Sequence, residues 1–315
     1  MCRSYYYHAR EDTYMAPRAP SCKILVSMVL CCGTILFSLL HGVMRQHSSS
    51  HMSKQGLAAD AAQRTFINRQ NPEPSCHRKL FNQQTPADYD TSLRHESQHY
   101  RDSAKFENKI KESDAQWADR AIKHDGRFGA IHGHLQSLIS KVATFSPNVL
   151  ELGFGAGTNM IVVHEFLQQR GDVWGVELTN GWVDHAKAKY IHSGLHFLQG
   201  DITNAGNVLP SKNYFDIIFL ADVWEHIPSY RHGPLWHTIA SLLKPSGKLY
   251  IHIPNEAKQK AAQASQGHGQ FFEEIVRVRD IQEQAECFGM RIEERGTDDD
   301  KVDTYESIVL SFAQK

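Results

Sequence analysis

The segment VLELGFGAGTN sets Glu151 just ahead of three alternating glycines, Gly153, Gly155 and Gly157. An apolar run ending in an acid and a glycine-rich turn lets a ligand come close to the backbone, because glycine takes positive φ and has no Cβ in the way. The spacing is G-x-G-x-G, whereas a dinucleotide turn needs its third glycine one position later. That disfavours a nicotinamide cofactor, although glycine-rich turns alone serve many nucleotides. The run VWGVE ends on Glu177, followed by Leu178, and the acid lies where a doubly wound sheet presents a carboxylate to ribose hydroxyls. In LQGDIT, Asp201 is placed to accept from an adenine amino group while Ile202 packs near the ring. The segment YFDIIFLADVWEHI carries Asp216 near its start and Asp222, Glu225 and His226 beyond the carboxyl end of its strand, where ligands of such sheets sit.

His226 is the candidate general base, since an imidazole titrating near neutrality suits removal of a proton from a hydroxyl or ammonium group. A histidine near a helix start that packs locally is the other reading. Trp224 faces either an acceptor pocket or the core. In QGHGQFFEE, His268 and Phe271 line the acceptor pocket, or else Phe271 and Phe272 are buried at a helix start.

These residues need a scaffold that brings strand ends together. Short apolar runs at Val149 to Leu152, Val173 to Val176, Leu195 to Leu198, Phe215 to Leu220 and Lys248 to Ile253 read as strands. Helical patterns at Asn159 to Gln169, Trp182 to Ile191 and Leu235 to Leu243 lie between them. An earlier helix places Ile131, Leu135, Leu138, Ile139 and Val142 on one face, with Pro147 to stop it. The alternation predicts an α/β, doubly wound, mostly parallel sheet covered on both faces. Arg291 to Glu294 and Ser307 to Phe312 are separated by the acidic DDDKVD rather than a helix, which predicts a terminal hairpin.

Taken in order, these segments resemble the class I S-adenosylmethionine-dependent methyltransferase family, specifically its small-molecule branch, over roughly Ser113 to Lys315. The resemblance implies a seven-stranded sheet with the last strand antiparallel, and S-adenosylmethionine as cofactor. It implies Glu151, Gly153 and Gly155 around the methionine moiety, Glu177 at the ribose, Asp201 and Ile202 at adenine, and Asp222 on the methionine side. Methyl transfer to an O or N acceptor follows, the acceptor being a small molecule or a glycan-like or polyamine-like compound. Proximity and orientation supply much of the rate in such displacements. A non-catalytic scaffold that keeps the fold, and a nicotinamide-dependent oxidoreductase, are the competing functions.

The chain has 315 residues, enough for one large domain with appendages, and its 34 Lys and Arg nearly balance 35 Asp and Glu. No field for steering nucleic acid is indicated. Nor does an Asn-Pro-Pro-Tyr-like tetrapeptide follow the fourth strand. Ile24 to Leu40 contains no charge and extends to about Met44. Roughly 20 helical residues cross a bilayer core, so 24–44 is expected to be a membrane signal-anchor between a tail, 1–23, and a flexible stem, 45–91, ahead of the catalytic domain, 92–315. Cleaved signal or organellar presequences are the alternatives. Basic residues concentrated before the run favour a cytoplasmic N-terminus and a luminal, endomembrane catalytic domain. Of six cysteines, only Cys76 and Cys287 lie beyond the run, so no disulfide framework is expected. The 19 histidines, His95 and His99 included, are scattered, and no metal site is expected.

Overall fold

The computed structural model of the chain describes residues 76, 120–121, 123, 126–168, 170–210, 212–264, 274–300 and 303–313. All of them belong to the second of two compact units, Gln63–Lys315. The expected tail and membrane anchor, and all of the stem but residue 76, lie outside the described residues, as do His268 and Phe271. Among the described residues no helix is long and apolar enough to cross a membrane.

Helix α1 (Arg127–Lys141) leads into β1 (Val149–Leu152), α2 (Thr158–Phe166), β2 (Val173–Glu177), α3 (Asn180–Lys189) and β3 (Leu195–Gln199). A 3-10 turn at Ile202–Asn207 precedes β4 (Phe215–Ala221), and a second, Trp224–His226, precedes α4 (Ser229–Leu242). Then come β5 (Leu243–Pro254), α5 (Glu256–Ala264), α6 (Val278–Cys287), β6 (Met290–Asp300) and β7 (Asp303–Phe312).

These strands form one seven-stranded sheet in the order β3-β2-β1-β4-β5-β7-β6. Strands β1 to β5 pair in parallel, whereas β7 runs antiparallel to β5 and β6. The order reverses at β1, so the carboxyl ends of β1 and β4 flank the crevice where ligands of open α/β sheets bind.

Period-two burial builds both faces. Leu150, Leu152, Ile218 and Leu220 pack with Trp236 and Ile239 of α4 on one side. Val149, Ile217 and Phe219 pack with Leu135 of α1 and Val163 of α2 on the other. Because both faces are covered, the strands read as continuous apolar runs rather than alternating ones. The expected strand at Lys248 begins five residues earlier, where Leu243 pairs with Phe215 before a register shift carries Ile217 to Lys248. The terminal hairpin is also longer than its apolar stretches, with pairing continuing through the acidic run to Asp300 and Asp303. Backbone pairing between the two strands holds that register where apolar patterning gives no signal.

Cys76 is bonded to Cys287 at the end of α6, with Cα atoms 5.6 Å apart. This corrects the expectation of no disulfide. The partners are 211 positions apart in sequence, so no local spacing marks them, and only the folded chain brings them together.

Candidate functional site

The glycine turn is built as its sequence requires. Gly153, Gly155 and Gly157 have φ of 82°, 52° and 76°, all in the region that penalises a Cβ. Two of them also have close neighbours. A Cβ on Gly153 would lie 2.7 Å from the Val223 side chain, and one on Gly157 would lie 3.0 Å from Phe197. At Gly155 a Cβ would meet nothing within 4 Å, so this glycine borders open space.

Glu177, at the end of β2, fastens the turn from below. Its Oε2 accepts from the Gly155 backbone N–H at 3.1 Å and its Oε1 from that of Thr179 at 2.9 Å. Burial raises its carboxyl above the ordinary range, and those backbone donors pull it partly back. The Leu178 carbonyl accepts from Gln199 Nε2 at 3.1 Å. Glu151, on β1, is 1 % exposed. Its Oε1 accepts from Asn159 Nδ2 at 2.9 Å, while Oε2 is buried with no partner among the described residues. Burial drives the Glu151 carboxyl up to about 8, with Asn159 opposing and the charge of Glu177 adding.

Past β3, Asp201 caps the 3-10 turn. Its Oδ1 accepts from the backbone N–H and the hydroxyl of Thr203, at 2.9 and 2.7 Å. Arg231, in the first turns of α4, donates to both Asp201 Oδ2 and Thr203 Oγ1. Ile202 is buried beside it, packed with the core.

Past β4, Asp222 is one of three non-glycine residues at positive φ among the described residues, with φ of 56°. Its Oδ2 accepts from Arg127 Nη1 at 2.6 Å and its Oδ1 from His252 Nδ1 at 2.7 Å. Burial would raise this carboxyl, but His252, Arg127 and His226 together hold it below the ordinary range. His252 is fully buried and stacks on Tyr305, 4.6 Å between ring centres and 18° between planes. Arg127 also reaches the Tyr305 hydroxyl at 3.5 Å. The first residue of α1 and residues of β5 and β7 thus fix the side chain at the end of β4.

His226 lies four positions on, with Nε2 3.7 Å from Glu225 Oε1 and its side chain 18 % exposed. Trp224 is where the acceptor-pocket reading fails. It is fully buried, with ring centres 4.9 Å from Trp236 and 5.3 Å from His232. The 3-10 turn after β4 sends this indole under α4 and into the core, leaving His226 at the partly open position. Asp216 is at the far end of β4, paired with Lys244 at 2.8 Å and accepting from the Asn148 backbone N–H, which makes it a structural anchor.

The structure therefore places Glu151, the glycine turn, Glu177, Asp201, Asp222 and His226 towards the carboxyl ends of the parallel strands β1 to β4. Sequence reasoning missed Asn159, Arg127, Arg231, His252 and Tyr305. Of these, His252 left a trace, a polar residue inside the apolar run LYIHIP. The two arginines sit in segments with no motif, and only the fold reveals their partners.

A doubly wound sheet with a glycine turn at its switch point, flanked by carboxylates, has the architecture of a nucleotide-cofactor protein. Residues 149–247 match the family model of a methyltransferase domain. Over 122 residues the chain is 27 % identical to protein-L-isoaspartate O-methyltransferase of Pyrococcus horikoshii, covering 38 % of this chain and 51 % of that protein. The chain thus spans about half the length of this curated relative. The structure of 1,6-didemethyltoxoflavin-N1-methyltransferase from Burkholderia thailandensis, solved with 1,6-didemethyltoxoflavin and S-adenosylhomocysteine, is similar with a TM-score of 0.51 at 16 % identity. That match covers 74 % of this chain and 92 % of the other. Magnesium protoporphyrin IX methyltransferase from Synechocystis, solved with S-adenosylhomocysteine, gives 0.44 at 19 % identity over 57 % of this chain and 84 % of the other. Residues 149–247 are thus similar to a methyltransferase domain, and these likenesses support a class I S-adenosylmethionine-dependent methyltransferase with S-adenosylmethionine as cofactor.

The residues present fit that cofactor. Open space beside Gly155 gives the turn room for a ligand, and the unpartnered Glu151 Oε2 is an acceptor suited to an ammonium group.

Proposed function

We propose that the protein transfers a methyl group from S-adenosylmethionine to an oxygen or nitrogen nucleophile on a small molecule or a glycan-like or polyamine-like compound. The observation that carries this is the buried, unpartnered Glu151 Oε2 at the foot of a glycine turn with open space at Gly155. Glu151 would hold the cofactor's amino group, Glu177 its ribose, and Asp201 and Ile202 its adenine. The bound cofactor supplies a methyl group already activated on a sulfonium. Asp222, pinned by Arg127 and His252, shapes the methionine side of the crevice. A ring nitrogen of His226 takes the proton of a hydroxyl or ammonium acceptor, with Glu225 beside it. A small acceptor accords with the balanced charge of the chain and with the 1,6-didemethyltoxoflavin named for one structural neighbour.

The test is incubation of the protein with methyl-labelled cofactor and fractionated metabolites. Label in a small product is expected; label in protein or nucleic acid, or none, would overturn the acceptor reading. His226→Ala should keep cofactor affinity and lower turnover by roughly 10² to 10⁴-fold, with the deficit shrinking as pH rises. Normal turnover of this variant across pH would remove His226 from the chemistry.

We also propose a luminal catalytic domain on an N-terminal anchor. The charge asymmetry around Ile24 to Leu40 supports it, and so does the Cys76–Cys287 bond, because disulfides persist in oxidising compartments. Protease added to intact vesicles should spare the domain, and digestion without detergent would reverse the orientation.

A further inference from the structure

We propose that Arg231 is a positioning residue that sets the preference of the cofactor site for a 6-amino purine over a 6-oxo purine. The proposal rests on the reading that Asp201 faces the adenine of S-adenosylmethionine. Asp201 follows an edge strand, begins a short 3-10 turn and is about one-third exposed, so its own backbone does little to fix its carboxylate. Two residues do. Thr203 donates to Oδ1 from both its N–H and its hydroxyl, and Arg231 donates to Oδ2 while also reaching the Thr203 hydroxyl. The guanidinium, a planar fork of several donors, thereby ties the carboxylate and its neighbour into one unit. Thr238 extends the tie, its hydroxyl donating to the Thr203 carbonyl at 2.9 Å. Arg231 and Thr238 both belong to α4, which is packed into the core through Trp236 and Ile239, so a rigid helix determines where the Asp201 oxygens sit.

An ionised carboxylate only accepts hydrogen bonds. Held in place, it is matched by the amino group of adenine and opposed by the carbonyl oxygen of a 6-oxo purine. Released from Arg231, it can rotate toward solvent, where neither purine is favoured strongly. Discrimination should then collapse more than affinity does. A merely structural role for Arg231 would weaken both ligands alike.

The experiment measures dissociation constants of S-adenosylhomocysteine and its 6-oxo, inosyl analogue by calorimetry on the full chain and its variants. The parent protein should prefer the amino form by at least about tenfold, as expected for a hydrogen bond to a charged acceptor. Arg231→Gln should bring the two ligands within about threefold, and Arg231→Lys should restore part of the preference. Thr203→Val, which keeps the side-chain shape and removes the hydroxyl link, should also narrow the ratio and serves if Arg231→Gln does not fold. An unchanged ratio in the folded variants, even with both affinities reduced, overturns the proposal. Failure of the parent protein to bind S-adenosylhomocysteine would instead strike the cofactor reading itself.

Discussion

A carboxyl group shut away from water keeps its proton, and Glu151 is such a group. Burial lifts it to about 8 from an ordinary 4.5, and its single donor, Asn159, only partly opposes this. Between those values the folded protein binds a proton that the unfolded chain has released. The contribution to stability is therefore complete below about pH 4.5 and is lost as pH climbs through about 8, an effect on the order of a few kcal/mol. Urea midpoints of the ligand-free protein should fall across that window for the parent and less for Glu151→Gln. Equal slopes would show that Glu151 is ionised or hydrated in the free protein. A cationic amino group at Oε2 reverses the preference, so cofactor binding near pH 6 should release a proton, seen as a buffer-dependent binding enthalpy. Glu151 was legible in the sequence because it precedes the glycines. Its protonation was not, since that depends on which donors the fold brings to a buried oxygen.

At the scale of elements, the glycines of one turn perform different work, and substitution should separate them. Gly153 and Gly155 both have positive φ, so either substitution carries a strain of about 1–2 kcal/mol. A Cβ at position 153 would also press on Val223, which leads into the 3-10 turn bearing His226. Gly153→Ala is thus expected to lower the melting temperature more than Gly155→Ala does. Gly155→Val should fold yet fail to bind S-adenosylmethionine, because its side chain enters the space proposed for the ligand. Cofactor binding by folded Gly155→Val would move the site elsewhere. The strands holding these turns could be read from sequence because burial on both faces makes them uninterrupted apolar runs. The beginning of β5 at Leu243 and the reach of β6 and β7 through the acidic run could not, since pairing with a neighbour decides them. Trp224 shows the same limit. Its neighbours in sequence are site residues, but a 3-10 turn separates side chains by about 120° per residue, so Trp224 enters the core while His226 stays partly exposed.

On the scale of the whole molecule, the Cys76–Cys287 bond closes a loop spanning 211 positions, from ahead of α1 to the end of α6. In the loop-entropy account, such a crosslink acts mainly by restricting the unfolded chain, and native bonds typically contribute about 2–4 kcal/mol. For a domain of this size that corresponds to a melting temperature higher by on the order of 10 °C. Reductant should therefore lower the melting temperature of the parent protein and leave Cys76→Ser unmoved, with Cys76→Ser alone melting near the reduced parent. Cys287→Ser should behave identically, because removing either sulfur opens the same loop. Both variants should still bind S-adenosylmethionine at low temperature, since α6 ends away from the glycine turn in sequence and neither cysteine contributes to the proposed cofactor contacts. An additive loss in the double variant would show that the two thiols act separately, and the pairing would then fail as an account of stability. If reductant changes nothing while both cysteines react with a thiol reagent in the folded protein, the bond is not formed, and the support it lends to a luminal domain goes with it.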